Sequence, residues 1–184
     1  MARGASVPQT ITERAAKIRL VVFDVDGVLT DGRVVLGADG TEYKMFHARD
    51  GQGLVMLRDS GIQVAVISGR SSPVVAERMA ALGIEHVYQD QSEKLPVFES
   101  LLNELGLSAD ETAYVGDDLP DLPVMLKVGL AIAVADGAEQ VLKHAHWQTR
   151  NSGGRGAVRE VCELIMHAKG TLERQYARYI SENR

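Results

Sequence analysis

The sequence predicts an α/β fold: a doubly wound parallel sheet from which a β-hairpin protrudes. Three observations predict it. Short runs, mostly apolar and β-branched, recur at 21–23, 62–67, 86–88, 112–115 and 130–134, helix-spaced stretches fill the intervals, and several runs stop on Asp, Ser or Gly turns. Strands that alternate with helices at short intervals form a parallel sheet covered on both faces. With 184 residues and 45% hydrophobic content, the chain suffices for one full core and is short for two, so a single domain over 1–184 is expected.

Taken in order, residues 1–19 hold a lead-in helix, with Thr10 and Glu13 at capping-box spacing. Residues 21–30 read as a buried strand that delivers Asp24 and Asp26 to a glycine turn at its carboxyl end, where open α/β sheets place their chemistry. Asp-Val-Asp-Gly is also an ordinary strand-ending turn, and alone it decides nothing. Residues 33–46 form a hairpin around Asp39-Gly40, with Tyr43 and Met45 on one face and Glu42, Lys44 and Phe46 on the other. Residues 47–51 follow as a polar loop, then a helix through Leu54–Leu57 ended by Gly61.

The second strand, 62–67, stops at Ser68-Gly69-Arg70. Ser72-Pro73 supplies an N-cap and first-turn proline for a helix running to Gly83. A short strand at 86–88 precedes a helix over 93–105 with Lys94 near its start. The strand at 112–115 leads into Gly116-Asp117-Asp118-Leu119-Pro120-Asp121, and the strand at 130–134 into a helix over 137–143. The tail, 169–184, mixes charges and aromatics and reads as a frayed helix or subunit contact.

Composition limits the partners. A net charge of −5 and a pI near 5.5 argue against nucleic acid or an anionic membrane, so any anionic substrate must be met by a few local cations. The single cysteine, Cys162, forms no disulfide within the chain and falls in a helix-spaced apolar set with Val158, Val161, Ile165 and Met166, which marks it as packing. No run approaches the ~20 apolar residues of a membrane span, and the amino terminus lacks a signal peptide's apolar segment. A reducing, cytoplasmic setting is expected.

In such a fold the strand ends bring Asp24, Asp26, Ser68, Asp117 and Asp118 to one edge, with Lys94 beside them. Carboxylates clustered this way suit Mg²⁺ and a phosphoryl group. Asp24-x-Asp26-Gly-x-x-Thr30, Ser68-Gly-Arg70, Lys94 and Gly116-Asp117-Asp118-x-x-Asp121 resemble, in order and spacing, the four motifs of the haloacid dehalogenase superfamily, over about residues 20–165. The resemblance implies a Rossmann-like phosphatase. Asp24 would be the nucleophile, Asp26 the general acid and base, and Asp24, Asp26 (by its backbone carbonyl) and Asp117 the Mg²⁺ ligands. Ser68 and Lys94 would hold phosphoryl oxygens, while Asp118 and Asp121 orient Lys94 and the metal's waters. Both Asp24 and Asp26 favour phosphatase over dehalogenase, and over ATPase relatives that commonly carry Thr at the second position.

The intervals between motifs are too short for the inserted cap domain of larger members, and capless members cover their sites by assembling as homotetramers. Within that branch, His47-Ala48-Arg49-Asp50-Gly51, Tyr114-Val115-Gly116-Asp117-Asp118, Val124-Met125 and the stretch Gly153-Gly154-Arg155-Gly156-Ala157-Val158-Arg159-Glu160 resemble phosphatases of sugar acids. The implied substrate is the 8-phosphate of the eight-carbon acid sugar of bacterial lipopolysaccharide, bound by Asp26, His47, Arg49, Asp50, Gly51, Arg70, Arg78 and Lys94. Arg70 and Arg78, eight apart on what reads as one helix, are the candidates for its carboxylate. Nine-carbon relatives tend to carry an acid at Arg70 and a lysine at Ala81, which favours the shorter sugar. Some members have arginine at Val55, a contact missing here.

The alternatives are a phosphatase for nine-carbon sugar acid 9-phosphates and a non-catalytic oligomerisation module like those attached to sugar cytidylyltransferases. A scaffold needs none of Asp24, Asp26, Ser68, Lys94 and Asp117. Gly153-Gly154-Arg155-Gly156 could cradle an anion but lacks a P-loop ending, and the resemblance favours a loop near the site. His144-x-His146 has no third ligand nearby, and Trp147 reads as core or interface.

Overall fold

The computed structural model describes residues 7–180; residues 1–6 of the lead-in and 181–184 of the tail lie outside them. In chain order the elements are α1 (Gln9–Lys17), β1 (Leu20–Phe23), the hairpin strands β2 (Val35–Leu36) and β3 (Glu42–Tyr43), α2 (Ala48–Asp59), β4 (Gln63–Ile67), α3 (Pro73–Ala81), β5 (His86–Tyr88) and α4 (Lys94–Leu105). There follow β6 (Thr112–Gly116), α5 (Leu122–Met125), β7 (Leu130–Ala133), α6 (Glu139–His144), β8 (Trp147–Gln148), α7 (Ala157–Ala168) and α8 (Leu172–Ile180).

All four residues of β1 are buried, and because strand side chains alternate between faces they serve two cores. Val21 and Phe23 pack with Ile11, Leu54, Met79 and Val161, beneath α1, α2, α3 and α7. Leu20 and Val22 pack on the other face with Phe98, Met125 and Val141, beneath α4, α5 and α6. The strand order is β5-β4-β1-β6-β7-β8, parallel throughout. From β1 the chain builds outward through β4 and β5, then returns to β1's other edge with β6. That reversal opens a crevice at the carboxyl ends of β1, β4 and β6.

Several expectations from sequence shift. No capping box forms at Thr10: the Pro8 carbonyl accepts from the N–H groups of Ile11 and Thr12, so α1 starts earlier and Thr10 lies inside it. The polar stretch after the hairpin is not a loop. His47 is the N-cap of α2, and Arg49, Asp50 and Gly51 occupy its first turn. The Asp50 carboxylate accepts from the N–H groups of Gly156 and Arg159 at 3.2 and 2.8 Å, a tertiary anchor to α7 that outweighs the poor helix propensity of two nearby glycines. A sixth strand, β8, pairs with β7 over two residues, too few to leave a periodic signal. Trp147, on β8, packs against the core, and His146 Nδ1 accepts from the Ala131 N–H at 2.9 Å.

The hairpin is shorter than predicted, with Val35 opposite Tyr43 and Leu36 opposite Glu42. Val34, Val35, Leu36, Tyr43 and Met45 are exposed. The interval from β1 to β4 holds only this hairpin and α2, and no cap domain interrupts the described residues. Cys162 is buried in the core, where burial pushes its thiol pKa up and out of any reactive range. Among the described residues, no helix is long and apolar enough to cross a membrane.

Candidate active site

β1 carries Asp24 to the crevice, where its N–H donates to Val115 O at 3.0 Å and extends the ladder with β6 by one residue. The chain then turns tightly. Thr30 closes the turn: its N–H donates to Val25 O at 3.0 Å, and its hydroxyl oxygen accepts from the N–H groups of Gly27 and Gly32. Gly27 has φ +103°, and a Cβ there would lie 2.0 Å from Asp117 Oδ2. Only glycine lets the turn after β1 sit against the carboxylate that follows β6.

Asp24 and Lys94 are 6% and 4% exposed. Lys94, at the first position of α4, donates from Nζ to Asp24 Oδ1 at 2.5 Å and to Asp121 Oδ1 at 2.6 Å. Asp121 is fully engaged. Its Oδ1 also accepts from the Tyr114 hydroxyl at 2.7 Å, and its Oδ2 accepts from the N–H groups of Asp117 and Asp118 at 2.9 and 3.2 Å. Asp121 thus fixes both the lysine and the turn after β6. Asp118, exposed, caps the next turn by accepting from the Leu119 N–H.

Carboxylates this crowded resist ionisation. Burial, then the facing Asp121, raises Asp24 to about 6 against the pull of Lys94. Burial, then Asp24 and Asp121, raises Asp117 to about 8. Burial works to lower Lys94, but Asp24 and Asp121 outweigh it, and its pKa stays above the ordinary value. Carboxylate oxygens of Asp24, Asp117 and Asp121 lie within 4.8 Å of one another, and Asp117 Oδ1 is buried without a hydrogen-bond partner among the described residues. Since Asp121 is held by four donors, Asp24 and Asp117 are the side chains left to face a hard cation, whose charge would relieve the crowding.

Ser68, buried at the end of β4, and Arg70 face the same open cavity of about 340 Å³ as Asp24, Asp26, Lys94 and Asp117. Arg70 is not on a helix with Arg78. The helix starts only at Pro73, because the proline is locked for a first turn, so the expected shared face does not exist. Arg70 instead crosses the rim: Nη2 donates to Glu42 Oε1 at 2.9 Å, and Nε lies 3.8 Å from Asp26 Oδ2. Lys44 pairs with Asp26 Oδ1 and lies 3.5 Å from Glu42 Oε1. Asp26, Lys44, Glu42 and Arg70 thereby form a ring of alternating charge.

The other predicted substrate residues form a second group away from this cavity. Arg78 stacks on Phe46, its guanidinium carbon 6.0 Å from the ring centre, beside Gly51. Arg49 lines a depression with Arg150, Arg155 and Arg159. His47 Nδ1 lies 4.0 Å from Asp50. Asp50 is turned inward onto α7, where both carboxylate oxygens accept backbone N–H groups; burial raises its pKa despite these two donors. Val55 packs against the core.

The glycine loop before α7 is no anion cradle. The N–H groups of Gly153, Gly154, Arg155 and Gly156 donate to Asp136 Oδ1, Val28 O, Ser152 O and Asp50 Oδ2. The loop backs the turn after β1 so closely that a Cβ on Gly153 would lie 1.6 Å from Gly27 O. Sequence reasoning missed Glu42, Lys44, Tyr114 and Asp136. Only the first two left a signal, in their shared face of the hairpin.

The haloacid dehalogenase-like hydrolase family matches residues 84–161. The chain is 49% identical over 167 residues to the 3-deoxy-D-manno-octulosonate 8-phosphate phosphatase KdsC of Escherichia coli K12, covering 91% of this chain and 89% of that one. The crystal structure of 3-deoxy-D-manno-octulosonate 8-phosphate phosphatase from Moraxella catarrhalis, in complex with magnesium ion, phosphate ion and KDO, is similar with a TM-score of 0.90 at 43% identity, over 92% of this chain and 97% of that one. The cobalt-bound deoxy-D-mannose-octulosonate 8-phosphate phosphatase from Haemophilus influenzae matches with a TM-score of 0.85 at 40% identity, over 89% and 98%. Relatives of this identity and coverage carry the same fold across nearly the whole chain, and the chain belongs to the haloacid dehalogenase-like hydrolases, in capless form.

Proposed function

We propose that the protein is a Mg²⁺-dependent phosphomonoesterase that hydrolyses 3-deoxy-D-manno-octulosonate 8-phosphate to 3-deoxy-D-manno-octulosonate and phosphate, a step toward bacterial lipopolysaccharide. The observation that carries the reading is Asp24, buried yet facing an open cavity, with Lys94 on one oxygen and Asp26 two residues on. Asp24 attacks phosphorus, and the bond to the sugar's C8 oxygen breaks as Asp26 protonates that oxygen. Asp26 then takes a proton from water, which attacks the aspartyl phosphate and restores Asp24. Lys94 and Ser68 hold the phosphoryl oxygens where negative charge builds up. Asp24, the Asp26 carbonyl and Asp117 would hold Mg²⁺, which supplies the positive charge that lets an anionic nucleophile approach a phosphate. Arg70 exchanges Glu42 for the substrate's carboxylate, which its planar fork suits.

A capless site is open to water. The exposed apolar hairpin, with Leu36 and Met45 at 65% and 73%, supports the homotetramer expected of capless members. The test is phosphate release from 3-deoxy-D-manno-octulosonate 8-phosphate, a nine-carbon sugar acid 9-phosphate and hexose 6-phosphates, each with Mg²⁺ or chelator. Metal-dependent preference for the first is expected. Preference for the nine-carbon acid would overturn the substrate, and inactivity on all three the enzyme.

A further inference from the structure

We propose that Lys44 is a positioning residue for Asp26, through which the hairpin controls protonation of the leaving group; this rests on the role of Asp26 given above. Lys44 reaches the catalytic turn from 18 residues away, and its side chain is only 3% exposed. A lysine at such depth stays there only if its charge is matched, and it is matched by Asp26 and Glu42. Glu42 in turn holds Arg70. The ring leaves the two oxygens of Asp26 unlike one another: Oδ1 is anchored by Lys44, while Oδ2 accepts no hydrogen bond among the described residues and has only Arg70 Nε facing it, at 3.8 Å. Anchoring one oxygen stops the carboxyl from rotating and presents the other to exchange a proton. General acid catalysis depends on that geometry, since a donor outside hydrogen-bond reach of the departing oxygen contributes little.

The chemistry supplies a readout that damage to the fold cannot imitate. A sugar alkoxide is a poor leaving group and needs the proton; p-nitrophenolate departs as a stable anion and does not. The value of kcat/KM reports the phosphoryl transfer to Asp24 for both substrates, and their ratio within one preparation is independent of how much protein is folded. Lys44→Met is expected to lower kcat/KM by about 10-fold or more for the sugar acid phosphate and also for hexose 6-phosphate, an alkyl ester without the carboxylate that Arg70 would bind, and by less than about 3-fold for p-nitrophenyl phosphate, a part of the ~10²–10⁴ that general acid catalysis contributes. Lys44→Arg, which keeps the cation, should restore most of the ratio. Asp26→Asn must show the same discrimination more strongly. If it does not, the assigned role of Asp26 fails; if it does while Lys44→Met lowers both substrates equally, or neither, the proposal for Lys44 fails alone.

Discussion

The floor of the site and the hairpin at its rim each hold one of the two aspartates that follow β1, Lys94 pairing with Asp24 and Lys44 with Asp26. On the floor, Asp24 after β1, Lys94 and Asp121 at helix starts and Tyr114 in the middle of β6 are buried, and share a network in which each Asp121 oxygen accepts two bonds. At the rim, β2 and β3 pair over two residues, their apolar side chains face outward, and the link to the floor is ionic, through Lys44 and Arg70. A two-stranded ribbon is marginal by itself. The difference separates two burdens. The floor couples the proposed chemistry to stability, while the exposed side chains of the rim can change with little cost to the fold; the buried Lys44 is the exception.

The proposed mechanism places the largest effect on Asp24. Asp24→Asn keeps the shape but replaces the carboxylate that would attack phosphorus with a neutral amide, and kcat should drop at least about 10⁴-fold, as when other covalent nucleophiles are removed. An aspartate variant with substantial residual turnover would erase the distinction between floor and rim.

Next comes Lys94→Met. It leaves Asp24 and Asp121 facing each other in the interior, and breaking a buried pair costs about 3–5 kcal/mol. Urea denaturation with chelator at pH 9 should show that loss. By contrast Arg70→Met, whose side chain is 51% exposed, should cost less than about 1 kcal/mol while raising KM for a carboxylate-bearing substrate. Equal losses would mean that the rim is as structural as the floor.

The floor should also reveal itself through pH. Asp117 holds its proton up to about 8 in the folded chain, against 3.8 for an ordinary aspartate. Between those values the folded state binds more protons than the unfolded one, so stability of the chelated protein falls as pH rises through that window. Asp24, at about 6, adds to the fall over the lower half. A divalent ion must displace these protons, so it binds better as pH rises. Melting temperature in chelator is expected to drop from pH 6 to pH 9, and the increase given by Mg²⁺ to grow over the same range. A Mg²⁺ shift equal at both ends would locate the ion away from Asp117.

What was legible in the sequence follows the same division. Strand ends could be read because a buried strand leaves a contiguous apolar run, so the positions of Asp24, Ser68 and Asp117 along one edge were predictable from order alone. Contacts made across the fold left no such trace. Asp50 looks like an exposed loop acid until α7 is known to begin on it, and Arg70 stands ahead of the Ser72-Pro73 helix start, where only the fold shows its partners Glu42 and Asp26. Lys44 was half visible: alternation in the hairpin put it on the face of Glu42 and Phe46, but nothing local says that this face meets Asp26. Residue spacing reports the neighbours along an element, and partners supplied by a second element must come from the fold.

The smallest expected effect on stability is the one that most sharpens the contrast. Leu36→Ser and Met45→Ser remove exposed apolar surface from the hairpin without touching Lys44 or Glu42, and in a monomer such substitutions shift unfolding free energy by no more than about 0.5 kcal/mol. If the hairpin is instead covered by another copy, the same pair should convert a tetramer to smaller species in sedimentation velocity. The ion pairs of Lys44 lie within one chain, so kcat on p-nitrophenyl phosphate should survive dissociation while KM for the sugar acid phosphate rises. Loss of both kcat and KM on dissociation would mean that a neighbour completes the floor itself. The division between a self-sufficient floor and an assembled rim would then have to be redrawn.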